Sequence, residues 1–332
     1  MSVYKNYEEH IRGIYKDSII PFIQRSKALG LKFYAQTQFL ALFDKFTEQY
    51  ANLPPEHLAQ NVVAGWVTDP TVTVGCRRRR AILMRQLGEY MISCGKTAYL
   101  YPEKQFKTPA KYDPFIFSQK QIKTLLCCAD TSITRKPVVR SRIACPLIIR
   151  MLYCCGLRIS ETLHLRVCDV NLEDGVLRIC DSKFHKDRFV PMTESLTKLC
   201  ANYAEQYLRF AERSSFFFTP DGKRPYSIPC VYHAFRDYLF DAEIPHRGKG
   251  KGPRLHDFRH SFAVHSLKQL AEAGTDLYVS LPVLSVYLGH NSVSATQWYL
   301  QLTAEVYPHI LSAVDSQFGD VYPEVPYEQE AI

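Results

Sequence analysis

The chain has 332 residues, of which 46% are apolar and 22% are charged. This composition excludes global disorder. The length is sufficient for two domains, each with its own apolar core. Basic side chains outnumber acidic ones by 41 to 33, and the excess is carried by residues 1–112 and 113–312, whereas 313–332 hold five acids and no base. Two basic segments suit a polyanionic partner such as DNA, and they equally fit ordinary surface charge.

The eleven cysteines include no Cys-x-x-Cys pair, and the doublets at 127–128 and 154–155 lie in apolar runs. Adjacent thiols in a helix point in different directions and are poorly placed to bind one ion. Without a Cys-x-x-Cys pair, the ligand spacing of a zinc site is also absent. The sequence has no secretory leader and no apolar run that approaches roughly eighteen residues. We therefore expect reduced, mostly buried thiols, no bound metal, no membrane partner and a cytoplasmic location.

Residues 1–103 are predicted to form a helical domain. Further helices are predicted over 56–67 and over 77–93, where Gly95 is a plausible cap. The stretch 33–50 is amphipathic, because its apolar residues recur at the three- and four-residue steps of one helical face. These residues are Phe39, Leu42, Phe43 and Phe46.

Four consecutive arginines open the last of these helices. They point to every side of a helical turn, so several must face outward, and their like charges repel unless an anion neutralises them. We predict that they contact the phosphate backbone of DNA, with a solvated turn as the alternative. The residues are Arg77, Arg78, Arg79 and Arg80.

Residues 104–114 contain two prolines and three lysines without periodicity, and we predict that they form a linker. A second domain is expected over 115–312, followed by an acidic tail over 313–332. A capping-box pattern at 118–121 predicts the start of its first helix.

The second domain is predicted to combine helices with a small sheet. The apolar run 146–155 predicts a buried helix that has Pro146 in its first turn and ends at Gly156. Segments 176–180 and 188–192 are typical of paired strands, and Pro191 favours a sheet edge for the second. From 196 onward the pattern is mostly helical, so the expected fold class is mainly α with a small β-sheet.

Candidate functional residues lie where these elements end. Arg158 follows Gly156 at a junction between helices, where a planar guanidinium can bind two phosphate oxygens. Lys183 lies in the turn between the predicted strands, from which an ammonium can reach a bound molecule. Taken alone, each is more often an ordinary surface residue.

Four further candidates lie near the C-terminus. His256 and Arg259 are three residues apart and therefore share a helical face. His290 follows Gly289 at the end of an apolar helical run, and Tyr299 lies nine residues later on a helix predicted from about 294. Trp298 is expected to face the core.

This set has the parts that phosphoryl transfer to a tyrosine needs. A tyrosine hydroxyl has an ordinary pKa of about 10 and needs cationic neighbours or a base to act as a nucleophile. Two arginines and a histidine can neutralise the charge that develops on the equatorial oxygens of phosphorus without a metal. A lysine on a hairpin can protonate the leaving oxygen.

Three motifs, in this order, resemble the tyrosine recombinase (phage integrase) family. They are Gly156-Leu157-Arg158-Ile159-Ser160-Glu161, Leu255-His256-Asp257-Phe258-Arg259-His260, and Leu288-Gly289-His290 with Tyr299 nine residues on. The resemblance covers about 115 to 310. Each motif is modest alone, and their order and spacing make the set specific.

The resemblance implies a mechanism. Tyr299 would attack the scissile phosphate, giving a 3′-phosphotyrosyl link and a free 5′-hydroxyl. Arg158, Arg259 and His290 would bind the phosphate. His256 would assist proton transfer from the tyrosine, and Lys183 would protonate the leaving oxygen, with no cofactor.

The resemblance also implies the partners. They are double-stranded DNA with specific recombination sites, a homotetramer on that DNA, and accessory DNA-bending proteins in some systems, all at the nucleoid. The helical N-terminal domain would bind the opposite face of the DNA. The C-terminal tail would dock on a neighbouring protomer.

The hairpin departs from the family pattern, which is often Gly-Lys-Gly-x-Lys-x-Arg. Here Asp181 to Arg188 reads Asp-Ser-Lys-Phe-His-Lys-Asp-Arg, so Lys183 aligns with the catalytic lysine and Lys186 competes with it. Lys186 and Arg188 are otherwise expected to contact DNA. Tyr307 is the fallback nucleophile, although its distance from His290 differs from the pattern.

Three alternatives remain. A type IB topoisomerase shares the chemistry, and a non-catalytic DNA-binding protein shares the fold. A metal-dependent hydrolase built on the histidines belongs to another class, but carboxylate and cysteine ligands at suitable spacing are lacking.

Overall fold

The computed structural model divides the chain into two compact units, Met1–Tyr112 and Asp113–Ile332, and each is described by itself. Both are mainly helical with a small sheet, which confirms the predicted fold class. In the described part of the chain, no helix is both long and apolar enough to cross a membrane. The described residues are 7–31, 33–50, 52–102, 106, 113–132, 140–180, 187–246, 248, 252–289, 296, 298–300, 302–303 and 307.

The first unit packs its α-helices around an apolar core that includes Tyr15, Phe43 and Trp66. A pair of two-residue strands in parallel register, His57 with Thr97 and Leu58 with Ala98, joins the start of the third helix to the end of the fourth. The elements are α1 (Lys16–Ala28), α2 (Tyr34–Thr47), β1 (His57–Leu58), α3 (Gln60–Thr68), α4 (Val74–Ser93) and β2 (Thr97–Ala98).

Helix α2 confirms the amphipathic stretch but not every residue of its predicted face. Leu42 is 49% exposed, whereas Leu40 and Phe43 are fully buried. The buried face of the helix is therefore rotated by about one residue from the predicted apolar face, and it includes the polar residue Asp44. Its carboxylate accepts hydrogen bonds from the backbone N–H groups of Arg12 and Gly13, at 2.7 and 2.9 Å.

Helix α4 begins three residues before the arginine run, because the hydroxyl of Thr73 caps it by accepting from the Cys76 N–H. The prediction that Arg80 contacts DNA is wrong. Its side chain is buried, its guanidinium lies 3.6 Å from the Trp66 ring, and it donates to the Trp66 carbonyl at 2.7 Å and to Asp69 at 3.1 Å. Arg79 is exposed, and Arg77 and Arg78 are half-buried.

The second unit contains a three-stranded antiparallel sheet in the order β3-β4-β5, with Leu177 opposite both Val170 and Val190. Its α-helices surround a core that includes Phe117, Phe235 and Phe258. The elements are α5 (Gln119–Ser132), α6 (Arg140–Cys154), α7 (Ile159–His164), β3 (Val170–Asn171), β4 (Val176–Ile179), β5 (Arg188–Pro191), α8 (Glu194–Tyr207), α9 (Ile228–Asp241), α10 (Asp257–Glu272) and α11 (Leu277–Leu288).

Several local predictions for this unit are confirmed. Ser118 and Gln121 exchange the two capping-box hydrogen bonds, at 2.9 and 3.2 Å. The two predicted strands pair, and β5 with its Pro191 is an edge strand. Strand β3 was not anticipated, because two residues are too few to show a period-two pattern.

The predicted start of helix α6 is wrong. Pro146 lies inside this helix, which begins at Arg140. The missing N–H of proline removes one intrahelical hydrogen bond, and burial of Leu147, Ile148 and Ile149 offsets this loss. The predicted end is confirmed, because Gly156 has a φ of +58°, a left-handed conformation that favours glycine.

The contrast between two neighbouring arginines of α4 gives a first test. We expect Arg80→Ala to lower the free energy of unfolding of the first unit by roughly 2 to 3 kcal/mol, because it removes the stacking on Trp66 and leaves a buried carbonyl without its donor. Arg79→Ala, at an exposed position, should change stability by less than about 0.5 kcal/mol. Denaturant unfolding of both variants measures the difference, and equal stabilities would contradict the packing role.

Candidate active site

Three arginines meet at the C-terminal end of helix α11. Arg188 donates from Nε to the Tyr287 carbonyl at 2.9 Å, Arg259 donates to the Leu288 carbonyl, and Arg158 donates to the Gly289 carbonyl at 3.2 Å. The last carbonyls of a helix have no intrahelical partner and carry partial negative charge. The helix end therefore gathers three guanidinium groups from α10, β5 and the junction before α7.

Arg259 is the most enclosed of the three, with 1% of its surface exposed. A second hydrogen bond runs from its guanidinium to the Gly156 carbonyl at 2.7 Å, so it joins the end of α6 to the end of α11. Burial, followed by the nearby charge of Arg158, lowers the pKa of Arg259 to about 10. It stays cationic at neutral pH, with three of its five N–H groups not used by these carbonyls.

Glu161 holds the other two arginines. It accepts from Arg158 at 2.7 Å and from Arg188 at 3.1 and 2.8 Å, and its second oxygen accepts from the Arg158 backbone N–H at 2.9 Å. Burial opposes ionisation of this carboxyl, but the hydrogen bonds and charge of Arg188, with those of Arg158, outweigh it and hold the pKa of Glu161 at about 2. Two arginines therefore bind this carboxylate, and with the nearby Arg259 the site holds three cations and one anion.

The prediction that Arg188 contacts DNA is not supported by its surroundings. Its side chain is 8% exposed, and its N–H groups are directed to Glu161 and to the Tyr287 carbonyl. A guanidinium held in this way shapes the protein around Arg158. We therefore assign Arg188 to the support of the site.

Tyr299 lies beside these cations and is 2% exposed. Its hydroxyl is 3.0 Å from Nδ1 of His260 and also hydrogen-bonds Arg259. Burial raises the pKa of Tyr299, and the charges of Arg259 and Arg158 partly offset that rise. The arrangement brings a neutral phenol next to two cations and an imidazole.

His256 is the residue that precedes α10, and its ring meets the His260 ring edge-to-face at 4.7 Å. The protein atoms packed around the imidazole, followed by the charges of Arg259 and Arg158, lower the pKa of His256 to about 4. The residue is nevertheless exposed at the surface, so solvent screens part of this effect. The lowered pKa keeps the imidazole neutral at pH 7.

The structure therefore brings together Arg158, His256, Arg259 and Tyr299. Lys183, Lys186 and His290 lie outside the described residues. Tyr307 lies elsewhere, with its ring 4.4 Å from the ammonium of Lys268 and 6.3 Å from the His265 ring. Among the described residues, no group of three or more metal-binding side chains is arranged to hold an ion.

Two residues of the site had no assigned role in the sequence analysis. Glu161 stands in the first motif, three residues after Arg158, which is the spacing of an N-terminal helix cap. His260 follows Arg259 directly and lies four residues after His256, and this spacing places the two histidines on one helical face. Because histidine is common in this segment, the spacing did not single out His260 in the sequence.

A family model described as the phage integrase family matches residues 116–305, which is more than half of the chain. The y4rB protein of Sinorhizobium fredii, which has a provisional integrase/recombinase name, is 28% identical over 92% of this chain and 98% of its own length. The tyrosine recombinase XerA of Pyrococcus furiosus is 30% identical over 61% of each chain.

Solved structures show the same fold. XerH site-specific recombinase, bound to its difH substrate after cleavage, has a TM-score of 0.60 at 17% identity, over 85% of this chain and 80% of that one. The Tn1549 transposon integrase in complex with a circular intermediate DNA has a TM-score of 0.58 at 14% identity, over 84% and 93%. The fold is thus that of the tyrosine recombinases.

The matched family model defines the identity more closely. The chain belongs to the phage integrase family. It is a tyrosine-type site-specific DNA recombinase, and the resemblance found in its three motifs is confirmed.

The close packing at Gly156 gives a second test. A Cβ at this position would lie 2.5 Å from a ring carbon of Phe262. We expect Gly156→Ala to lower the free energy of unfolding by roughly 3 kcal/mol and to displace the carbonyl that binds Arg259.

Gly274→Ala is the matched control, because Gly274 has a similar φ of +69° and no described heavy atom within 4 Å of a Cβ. It should cost roughly 1 kcal/mol from backbone strain alone. Denaturant unfolding and DNA-cleavage rates of the two variants are compared. Equal losses would show that the contact with Phe262 is unimportant.

The ion pairs of Glu161 give a third test. Its pKa falls from an ordinary value of 4.5 to about 2, so its stabilisation is complete above about pH 4.5 and is lost as the pH falls through 2. Glu161→Gln should therefore be less stable than the parent at pH 6, by on the order of 3 kcal/mol.

The difference should shrink as unfolding is measured at steps from pH 4.5 toward pH 2. Glu173→Gln, at an exposed position of the same unit, is the control and should show no such trend. A gap between parent and Glu161→Gln that stays constant with pH would contradict the assignment.

Proposed function

We propose that Tyr299 is the nucleophile that cleaves and rejoins DNA, and that Arg158 and Arg259 bind the scissile phosphate. The observation that carries this proposal is the buried Tyr299 hydroxyl, which lies beside Arg259 in a site that holds three arginines and one carboxylate. Excess positive charge in a partly dehydrated site is suited to a phosphodiester and to its more highly charged transition state.

The proposed step conserves the energy of the bond it breaks. The Tyr299 oxygen attacks phosphorus, its O–H proton passes to a base, and the P–O5′ bond breaks, leaving a 3′-phosphotyrosyl link. The departing 5′-oxygen takes a proton from Lys183, or from Lys186 if that residue occupies the site. His290 would add a donor to the phosphate, and reversal with a new 5′-hydroxyl rejoins the strand.

The partners follow from the same proposal. The substrate is double-stranded DNA with specific sites, at the nucleoid of the cytoplasm, and four protomers act on two sites, with accessory DNA-bending proteins in some reactions. The N-terminal domain, 1–103, adds backbone contacts through Arg77, Arg78 and Arg79. The linker at 104–114 connects it to the catalytic domain, 115–312, and the acidic tail, 313–332, docks on a neighbouring protomer.

A covalent-trapping experiment tests the nucleophile. The parent protein and Tyr299→Phe are incubated in EDTA with nicked suicide substrates made from DNA that flanks the gene, and denaturing gels detect the protein–DNA adduct. We expect an adduct with the parent and none with Tyr299→Phe, because phenylalanine lacks the attacking oxygen.

Tyr307→Phe is the matched control, since Tyr307 lies beside Lys268 and His265. It should form the adduct at the parent rate. An adduct that survives in Tyr299→Phe and disappears in Tyr307→Phe would show that Tyr307 is the nucleophile. Relaxation of a supercoiled plasmid that lacks the site would favour the topoisomerase alternative.

A further inference from the structure

His260 lies in the site, and the proposed step gives it no role. It lies in α10 directly after Arg259, it is 8% exposed, and its Nδ1 is 3.0 Å from the hydroxyl of Tyr299. The two rings are tilted by 49°, with centroids 5.6 Å apart. This distance is that of a hydrogen bond to the atom that would attack phosphorus.

The surroundings fix the His260 ring. Trp298 meets it edge-to-face at 5.4 Å, and His256 meets it edge-to-face at 4.7 Å. Packing against two aromatic neighbours limits the rotation of the ring, so its Nδ1 stays near the Tyr299 hydroxyl. Such fixed geometry is what proton transfer in a transition state requires.

Tyr299 needs a proton acceptor because burial raises its pKa and so keeps the phenol protonated at neutral pH. Two further groups described near its hydroxyl, Arg259 and Arg158, are cations that donate hydrogen bonds and cannot accept a proton. A neutral imidazole with its hydrogen on Nε2 offers a lone pair at Nδ1. His256 packs against the His260 ring, with centroids 4.7 Å apart, and it is His260 whose Nδ1 is 3.0 Å from the Tyr299 hydroxyl.

We propose that His260 is the general base that removes the proton of Tyr299 as the tyrosine attacks the scissile phosphate. In the forward step the Oη–H bond breaks and an Nδ1–H bond forms, which gives an imidazolium. At the same time the Oη–P bond forms and the P–O5′ bond breaks, and the 5′-oxygen takes its proton from the lysine of the proposed function. In rejoining, the imidazolium returns the proton to the departing phenolate. The proposal depends on Tyr299 being the nucleophile, and it assigns to His260 the proton that the sequence analysis gave to His256.

The test separates basicity from positioning. His260→Asn places an amide oxygen near the position of Nδ1, so the variant can still accept a hydrogen bond but cannot take up a proton. We expect the rate of covalent adduct formation on a suicide substrate to fall by roughly 100-fold. DNA affinity, measured by mobility shift, should stay within about threefold of the parent.

A more acidic nucleophile should relieve the need for a base. Incorporation of difluorotyrosine at position 299, in both the parent and His260→Asn, lowers the ordinary pKa of the phenol. We expect the loss caused by His260→Asn to shrink from roughly 100-fold to less than about 10-fold. An equal loss with both phenols would show that His260 only positions the tyrosine, and this result would overturn the proposal.

The same helix provides a matched control. His265 is buried, and its Nδ1 lies 2.9 Å from the hydroxyl of Tyr153, which is a similar pair without the proposed nucleophile. His265→Asn should leave the adduct rate within about threefold of the parent, and a loss equal to that of His260→Asn would overturn the proposal. His260→Gln, compared with both phenols in the same way, replaces the asparagine variant if thermal melting shows that it is unfolded.

The outcome for the nucleophile is independent of this comparison. An adduct that persists in Tyr299→Phe would refute the proposed function itself. Loss of the adduct in Tyr299→Phe together with a parent-like rate in His260→Asn would leave the function standing and reject only the general base.

Discussion

The carbonyl groups at the C-terminal end of α11 are the feature on which the catalytic unit depends. Tyr287, Leu288 and Gly289 each bind a different arginine, and each arginine comes from a different part of the unit. A helix end with unpaired carbonyls would be costly if buried, and three guanidinium groups would repel one another without acceptors. The arginines give the helix carbonyls their donors, and the carbonyls give the arginines their acceptors. The same hydrogen bonds therefore stabilise both the fold and the cationic site.

This arrangement sets the protonation states around Tyr299. Glu161 is held ionised by Arg188 and Arg158, and it partly neutralises their charge. Burial, followed by the remaining positive charge, lowers the pKa of His256, and the same charge offsets part of the rise that burial causes in the pKa of Tyr299. A cationic pocket thus contains a neutral imidazole at His256 and a neutral phenol at Tyr299.

The two arginine-rich parts of the chain show how burial changes the role of one residue type. Arg80 and Arg188 were both expected to meet DNA, and both are enclosed by protein, one against Trp66 and the other against Glu161. Arg79 is exposed and stays available to a polyanion. A guanidinium serves either purpose, and only its neighbours decide between packing and recognition.

The sequence by itself determined the family, the helical character of both units and the strand pair. It also predicted Arg158, His256, Arg259 and Tyr299 as site residues, and the structure brings these four side chains together. Glycines at helix ends, capping boxes and periodic apolar residues are local patterns, so they can be recognised without knowledge of the fold. The start of α6, the burial of Arg80 and the links from Glu161 to Arg188 and from His260 to Tyr299 were decided only by tertiary structure. These contacts join residues 14 to 39 positions apart, and no local pattern encodes which distant side chain a charge or a hydroxyl will meet.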